Sequence, residues 1–124
     1  MTKHSQIMNI VDPILKGAKF GDCEACAIKI RDGLTKAGFA VVYWSIKTST
    51  HYIMLSHTPE AAAVSFNIEA PISVNGRHYG VEVEGMVFDN IFKKGLPLER
   101  WKNQFAVRAL YKLNFESKTY LAQK

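Results

Sequence analysis

An α+β fold is predicted for this chain of 124 residues, with helices in the N-terminal part and a small antiparallel sheet after them. The N-terminal third carries apolar residues at helical spacing, whereas the segment from residue 39 to residue 91 holds short runs rich in β-branched and aromatic residues. Hydrophobic residues make up 48% of the sequence and charged residues 22%, which is the balance of a folded globular protein. Because this length suits one domain, we expect a single domain over residues 1–124.

Four helices and four strands are predicted. The helices are residues 5–16, residues 23–36, a short helix with Thr58 as its cap and Pro59 at its first position, and residues 98–105. The strands are residues 39–46, 51–56, 77–84 and 85–91. Asp12-Pro13 is expected to break the first helix, and Gly38 is expected to end the second. Residues 106–124 fit both a strand and a helix, and their structure stays open.

The second predicted helix places a cysteine at its N-terminus. Asp22 is expected to be the N-cap, with its carboxylate accepting hydrogen bonds from the first free amides, which puts Cys23 at the first helical position. There the free N–H groups and the helix dipole stabilise a thiolate. Cys26 lies nearly one turn later and is predicted to be a core residue. It lies beside an apolar stripe at Ala27, Ile30, Leu34 and Ala37.

The last two predicted strands form a hairpin that pairs a histidine with an acid. If residues 84–85 are its two-residue loop, Val83 opposes Met86, and His78 and Asp89 become diagonal neighbours on one face. A carboxylate beside an imidazole fixes the tautomer of the ring and stabilises the imidazolium. A loop longer or shorter by one residue would turn one strand over and separate the two side chains.

Three neighbours of this pair have predicted roles of their own. Gly80 lies between His78 and Asp89 on the same face and is expected to leave room there. Glu82 shares that face and is either a partner of the pair or a solvated side chain. Asn90 is a rival orienter for the imidazole, although strand alternation points it to the other face.

A helix-start cysteine packed against this hairpin gives a thiol, a base and an orienting acid in the chain order Cys23, His78, Asp89. The imidazole would take the thiol proton, and the thiolate would attack an acyl carbon. The N–H of Cys23 could hold the developing oxyanion. The sequence therefore predicts thiol-dependent acyl chemistry.

These residues resemble the papain-fold toxin domains of bacterial polymorphic toxin systems, in particular the papain fold toxin 2 group. The segments that carry the resemblance are residues 23–27 with the helix that follows, residues 72–81, residues 87–91, residues 95–97 and Trp101. The resemblance implies a papain-like cysteine-protease-type fold, with N-terminal helices packed on a small antiparallel sheet. It also implies Cys23 as nucleophile, His78 as general base and Asp89 as orienter. The layout is similar to transglutaminase-like domains as well.

The resemblance further implies a toxin effector that acts as a cysteine hydrolase or acyltransferase on an amide in a target-cell protein. Peptidase, deamidase and transglutaminase-like reactions stay open, because all three use the same thiol and imidazole. Such a domain would be secreted or delivered into a target cell as part of a larger toxin, and a cognate immunity protein would bind it. The N-terminal residues lack a signal-peptide pattern, and no apolar run reaches the length of a membrane span.

Other functions are weaker alternatives. From Lys93 onward eight Lys and Arg face two acids, a local charge of +6, so an RNA-directed toxin with a basic C-terminal face is one of them. Another alternative is a non-catalytic binding module with the same papain-like fold. A zinc site would need a second pair of ligands, and a thioredoxin-type pair would need a preceding strand. We therefore expect neither a metal nor a cofactor.

Overall fold

A computed structural model describes residues 2–64, 71–73, 75–108 and 110–123. Its helices are α1 (Lys3–Leu15), α2 (Cys23–Lys36), α3 (Pro59–Ala63) and α4 (Leu98–Lys102), and a short 3₁₀ turn (Phe20–Asp22) leads into α2. Its strands are β1 (Val41–Lys47), β2 (Met54–Leu55), β3 (Arg77–Val83), β4 (Met86–Phe88), β5 (Leu96–Pro97), β6 (Phe105–Ala106) and β7 (Asn114–Tyr120). The predicted α+β class is confirmed. No helix within these ranges is both long and apolar enough to cross a membrane.

The first helix is continuous, so the predicted break at Asp12-Pro13 is wrong. Pro13 lies within the last turn of α1, where its missing N–H removes only one helical hydrogen bond. Ile7, Val11 and Leu15 are buried along one face of the helix. Tertiary packing of that face outweighs the loss of the single bond, as it does for most helices in proteins.

The second helix begins and ends where the sequence predicts. Gly38 follows it with a φ of 98°, the left-handed conformation that commonly ends helices. Ala27, Ile30 and Leu34 are buried as expected. Ala37, in contrast, is the C-cap and is exposed, because the helix ends before the stripe comes round again.

Five strands form one antiparallel sheet in the order β5-β4-β3-β1-β7. The β3–β4 hairpin has the predicted register, since Val83 pairs with Met86 and Val81 with Phe88. Glu84 and Gly85 both have positive φ, 51° and 81°, as a tight two-residue hairpin turn requires. The predicted strand at residues 85–91 is shorter than expected, because the chain leaves the sheet after Phe88. Within the segment that stayed open, residues 114–120 form β7. β2 covers only two residues of the strand predicted at residues 51–56.

The two faces of the sheet pack against different cores. The helical core lies between the sheet and the helices α1 and α2, and its buried residues include Ile30, Leu34, Val41, Val81 and Phe88. The aromatic core lies on the opposite face and includes Ile46, Val87, Ile91, Trp101 and Phe105. Strand alternation divides the sheet residues between these cores, and it assigns His78 to the aromatic side.

Candidate active site

Cys23 is the first residue of α2, and its side chain is half-buried. Asp22 occupies the N-cap position as predicted, but its carboxylate makes no bond to the α2 amides, and in this respect the prediction is wrong. The Oδ2 atom of Asp22 instead accepts a hydrogen bond from the backbone N–H of Lys19 at 3.0 Å, which closes the 3₁₀ turn. No side-chain cap therefore covers the start of α2 beside the thiol.

His78 projects from β3 into the aromatic core and is fully buried. Its Nε2 atom lies 2.8 Å from Oδ2 of Asp89. The ring packs between the ring of Trp101, at 6.4 Å between centroids, and that of Phe105, at 5.0 Å. The imidazole is therefore fixed both by packing and by one hydrogen bond.

Asp89 follows the end of β4 and is also fully buried. Its Oδ2 atom accepts hydrogen bonds from His78 and from the indole N–H of Trp101, each at 2.8 Å. Its Oδ1 atom accepts from the backbone N–H groups of Ile91, at 2.9 Å, and Phe92, at 2.5 Å. Burial by itself raises the pKa of this carboxyl, but the hydrogen bonds and charge of His78 and the other donors lower it below its ordinary value. The carboxylate therefore stays ionised.

The second imidazole nitrogen, Nδ1 of His78, is buried, and the described residues offer it no hydrogen bond within normal distance. Because Nε2 is bonded to Asp89, Nδ1 is the atom left for the thiol of Cys23. Burial lowers the pKa of His78, but Asp89, together with the neighbouring Cys23 side chain, outweighs burial and raises the pKa to about 9. The structure thus brings the three predicted site residues together.

The residues considered as alternatives to the predicted site residues have other hydrogen-bond partners or surroundings. Glu82 accepts a hydrogen bond from the indole N–H of Trp44 at 2.8 Å, so it is neither a partner of His78 nor simply solvated. Asn90 donates to the carbonyl of Lys19 at 2.8 Å. Cys26 is buried in the helical core, and burial, followed by the charge of Asp22, raises the pKa of its thiol.

Trp101 is a site residue that the sequence analysis missed. The sequence named it only among the residues that carry the family resemblance. Gly80 leaves room beside the pair, as the sequence predicted, and the Trp101 ring occupies that room. A Cβ at Gly80 would lie 2.6 Å from that ring. A glycine inside a strand often marks such a close approach, so Gly80 was the available signal.

The loop after Asp89 ties the candidate base to the candidate nucleophile. Asn90 bonds the carbonyl of Lys19, and the Lys93 ammonium donates to the carbonyl of Ala18 at 3.2 Å. Both carbonyls belong to the segment that leads into Cys23. This pair of long-range bonds fixes the start of α2 against the loop that holds Asp89.

Both cysteines are free thiols. In the described part of the chain, no three His, Cys, Asp or Glu side chains cluster closely enough to hold a metal ion.

A free thiol at a helix N-terminus, next to an imidazole oriented by a carboxylate, is the arrangement of a cysteine-protease-like enzyme. The chain belongs to the papain fold toxin 2 family, whose model matches residues 3–106. The predicted family and its papain-like α+β fold are therefore confirmed, and the chain is a toxin domain of that fold. Neither the curated proteins nor the solved structures include a match to it.

Proposed function

We propose that Cys23, His78 and Asp89 form a catalytic triad, and that the domain is a cysteine hydrolase or acyltransferase acting on an amide in a target-cell protein. One observation carries the proposal. A fully buried imidazole has one nitrogen bonded to a carboxylate with four donors, while its other nitrogen is left to a thiol at a helix N-terminus. The large majority of buried polar atoms are hydrogen-bonded, because an unpaired one is destabilising, so the unpaired Nδ1 favours a role in the reaction.

The first step is attack by Cys23. The thiol proton passes to Nδ1 of His78, which retains it at neutral pH because the pKa of the ring is about 9, and the thiolate sulfur adds to the carbonyl carbon of the amide. The imidazolium that results is stabilised by Asp89, and an imidazolium in turn stabilises a neighbouring thiolate. We expect the N–H of Cys23 to donate to the oxyanion.

The second step breaks the C–N bond. The imidazolium returns its proton to the leaving nitrogen, and a thioester on Cys23 remains. Water then gives hydrolysis, which is proteolysis of a peptide bond or deamidation of a glutamine. An amine acceptor in place of water gives a transglutaminase-like product. The same two residues act in each case, so the amide that is attacked and the acceptor together decide the reaction.

We base the proposed substrate and partners on the family to which the chain belongs. A toxin domain is consistent with delivery into a target cell, so we propose a protein of that cell as the substrate and an immunity protein as the inhibitory partner. An RNA substrate is less well supported, because several of the basic residues have intramolecular partners. Lys93 bonds a backbone carbonyl and Arg100 pairs with Glu60, while Lys102 lies over the Trp44 ring.

The test is alkylation of the two cysteines by iodoacetamide, followed at each site by mass spectrometry. We expect Cys23 to react at least about tenfold faster than Cys26, because Cys26 is buried and Cys23 is accessible to its base. His78→Ala should slow Cys23 at least about tenfold and leave Cys26 unchanged. The same His78→Ala change and Cys23→Ser should each abolish toxicity when the domain is expressed inside bacteria, whereas Cys26→Ser should not.

Cys26 also reports on folding. If His78→Ala unfolds the protein, Cys26 becomes reactive as well, and His78→Gln, which keeps a polar side chain in the cavity, then replaces it. A Cys23 that reacts at the same rate in the folded His78 variant as in the wild type would overturn the proposal and favour a non-catalytic binding module.

A further inference from the structure

A pocket of about 650 Å³ lies beside the candidate site without including any of its three residues. Its walls come from the turn before α2, from the loop after Asp89, and from α3 and β5. The apolar part of the lining is Ala18, Ala63, Val64, Ile91, Phe92 and Leu96. This volume is in the range of pockets that bind small ligands or short peptide segments.

The pocket shares structural parts with the site. The backbone N–H groups of Ile91 and Phe92, two of its wall residues, hold Oδ1 of Asp89. On the opposite side, the carbonyls of Ala18 and Lys19 are held by the loop that follows Asp89. Whatever occupies the pocket therefore lies against the two segments that position the nucleophile and its base.

The charged part of the lining is mainly positive. Lys19 and Lys94 are exposed at the pocket, whereas the ammonium of Lys93, also in the lining, is bonded to the Ala18 carbonyl. The single acid of the lining, Glu60, is paired with Arg100, so its charge is largely balanced. An apolar interior with a cationic rim complements an apolar side chain that has acidic neighbours.

We propose that this pocket is a substrate subsite that binds a large apolar side chain flanked by Asp or Glu in the target protein. The proposal rests on the triad proposed above, because it gives the pocket its role in substrate selection. It narrows the substrate from any accessible amide to one in an acidic segment with an apolar anchor.

The test is binding of short peptides to the Cys23→Ser variant, which cannot form a thioester, followed by two-dimensional NMR. Three acetylated and amidated probes are compared, Asp-Leu-Glu-Gly, Asp-Gly-Glu-Gly and Lys-Leu-Lys-Gly. Burial of the leucine should make the first bind about tenfold more tightly than the second. The charges should favour the first over the third about threefold, an advantage that salt reduces. Shift changes should centre on Ala63, Ile91 and Leu96.

Two pairs of variants give matched controls. Ala63→Trp should fill the pocket and abolish binding, whereas Ala62→Trp, at an exposed position on the same helix outside the lining, should not. Lys94→Glu should remove the preference for the acidic probe, whereas Lys36→Glu at the end of α2 should keep it. Equal affinities for the three probes, or equal effects of the two tryptophans, would overturn the subsite.

The binding result and the alkylation result are separable. Selective binding together with an inert Cys23 would sink the triad and, with it, the catalytic role of the pocket. A reactive, His78-dependent Cys23 without selective binding would sink the subsite alone.

Discussion

The two faces of the sheet differ both in the elements that cover them and in their chemistry: α1 and α2 pack on one face, and only short elements such as α4 and β6 pack on the other. The helical core is built from apolar side chains of α1, α2 and the sheet, with Cys26 among them. The aromatic core packs Trp101 and Phe105 around His78 and Asp89, two ionisable groups that are fully buried.

Burying ionisable groups is costly unless they are paired and hydrogen-bonded, and an apolar pair of similar volume is often as stable. In the aromatic core, hydrogen bonds from four donors offset the cost of burying the Asp89 carboxylate. Among the described residues, the helical core buries no such pair of ionisable groups. The proposed base and its carboxylate thus lie on the aromatic face of the sheet, whereas Cys23, at the start of α2, packs against the helical core.

Asp89→Ala should have the largest effect of the three predictions, and it tests whether the two cores differ in their chemistry. It leaves His78 and the Trp101 indole without an acceptor in a buried site, so we expect the free energy of unfolding to fall by about 3–5 kcal/mol. Urea denaturation measures the loss, and the alkylation rate of Cys23 should fall at least about tenfold. Leu34→Ala in the helical core is the control, with a loss of about 2–5 kcal/mol and an unchanged Cys23 rate in the folded fraction. If both variants slowed the alkylation of Cys23 equally, the two cores would not differ in their influence on this thiol.

The second largest effect should be a change in the free energy of unfolding with pH. The pKa of His78 is about 9 in the folded protein against an ordinary value of 6.5, so the folded state holds a proton that the unfolded state releases between these values. The free energy of unfolding contributed by His78 is therefore full below pH 6.5 and declines as the pH rises to about 9, by on the order of 3 kcal/mol. Chemical denaturation across this window measures it.

His78→Gln is the control for this profile, because it keeps a polar side chain and removes the titration. Its stability should change less than that of the wild type over the same window. If both proteins lose stability in parallel, the pair of His78 and Asp89 is not the cause.

Trp101→Phe should have the smallest effect of the three. It keeps an aromatic ring in the core but removes the indole donor to Asp89, so we expect a loss of about 1.5–3 kcal/mol and a smaller slowing of Cys23 than Asp89→Ala causes. Trp44→Phe removes the same kind of bond, to Glu82, outside the site. It should leave the Cys23 rate unchanged, and a similar slowing in both variants would show that Trp101 has no specific role.

Local rules of the sequence were enough to determine the helix that starts at Cys23 and the register of the β3–β4 hairpin. A helix start depends on the few residues around it, and a two-residue turn at Glu84 and Gly85 fixes which strand residues face each other. Strand alternation then placed His78 and Asp89 on one face. These parts of the candidate site were predictable because each one depends on neighbours in the chain.

Only the tertiary structure determined which distant groups hydrogen-bond to the site residues and enclose them. Asn90 bonds a carbonyl 71 residues away, and the indole of Trp101 reaches Asp89 from another element. Asp22 uses its carboxylate on the turn behind it instead of on the helix, and the pocket exists only where three separate segments meet. No local pattern specifies such contacts, because their energy comes from burying distant groups together once the chain has folded.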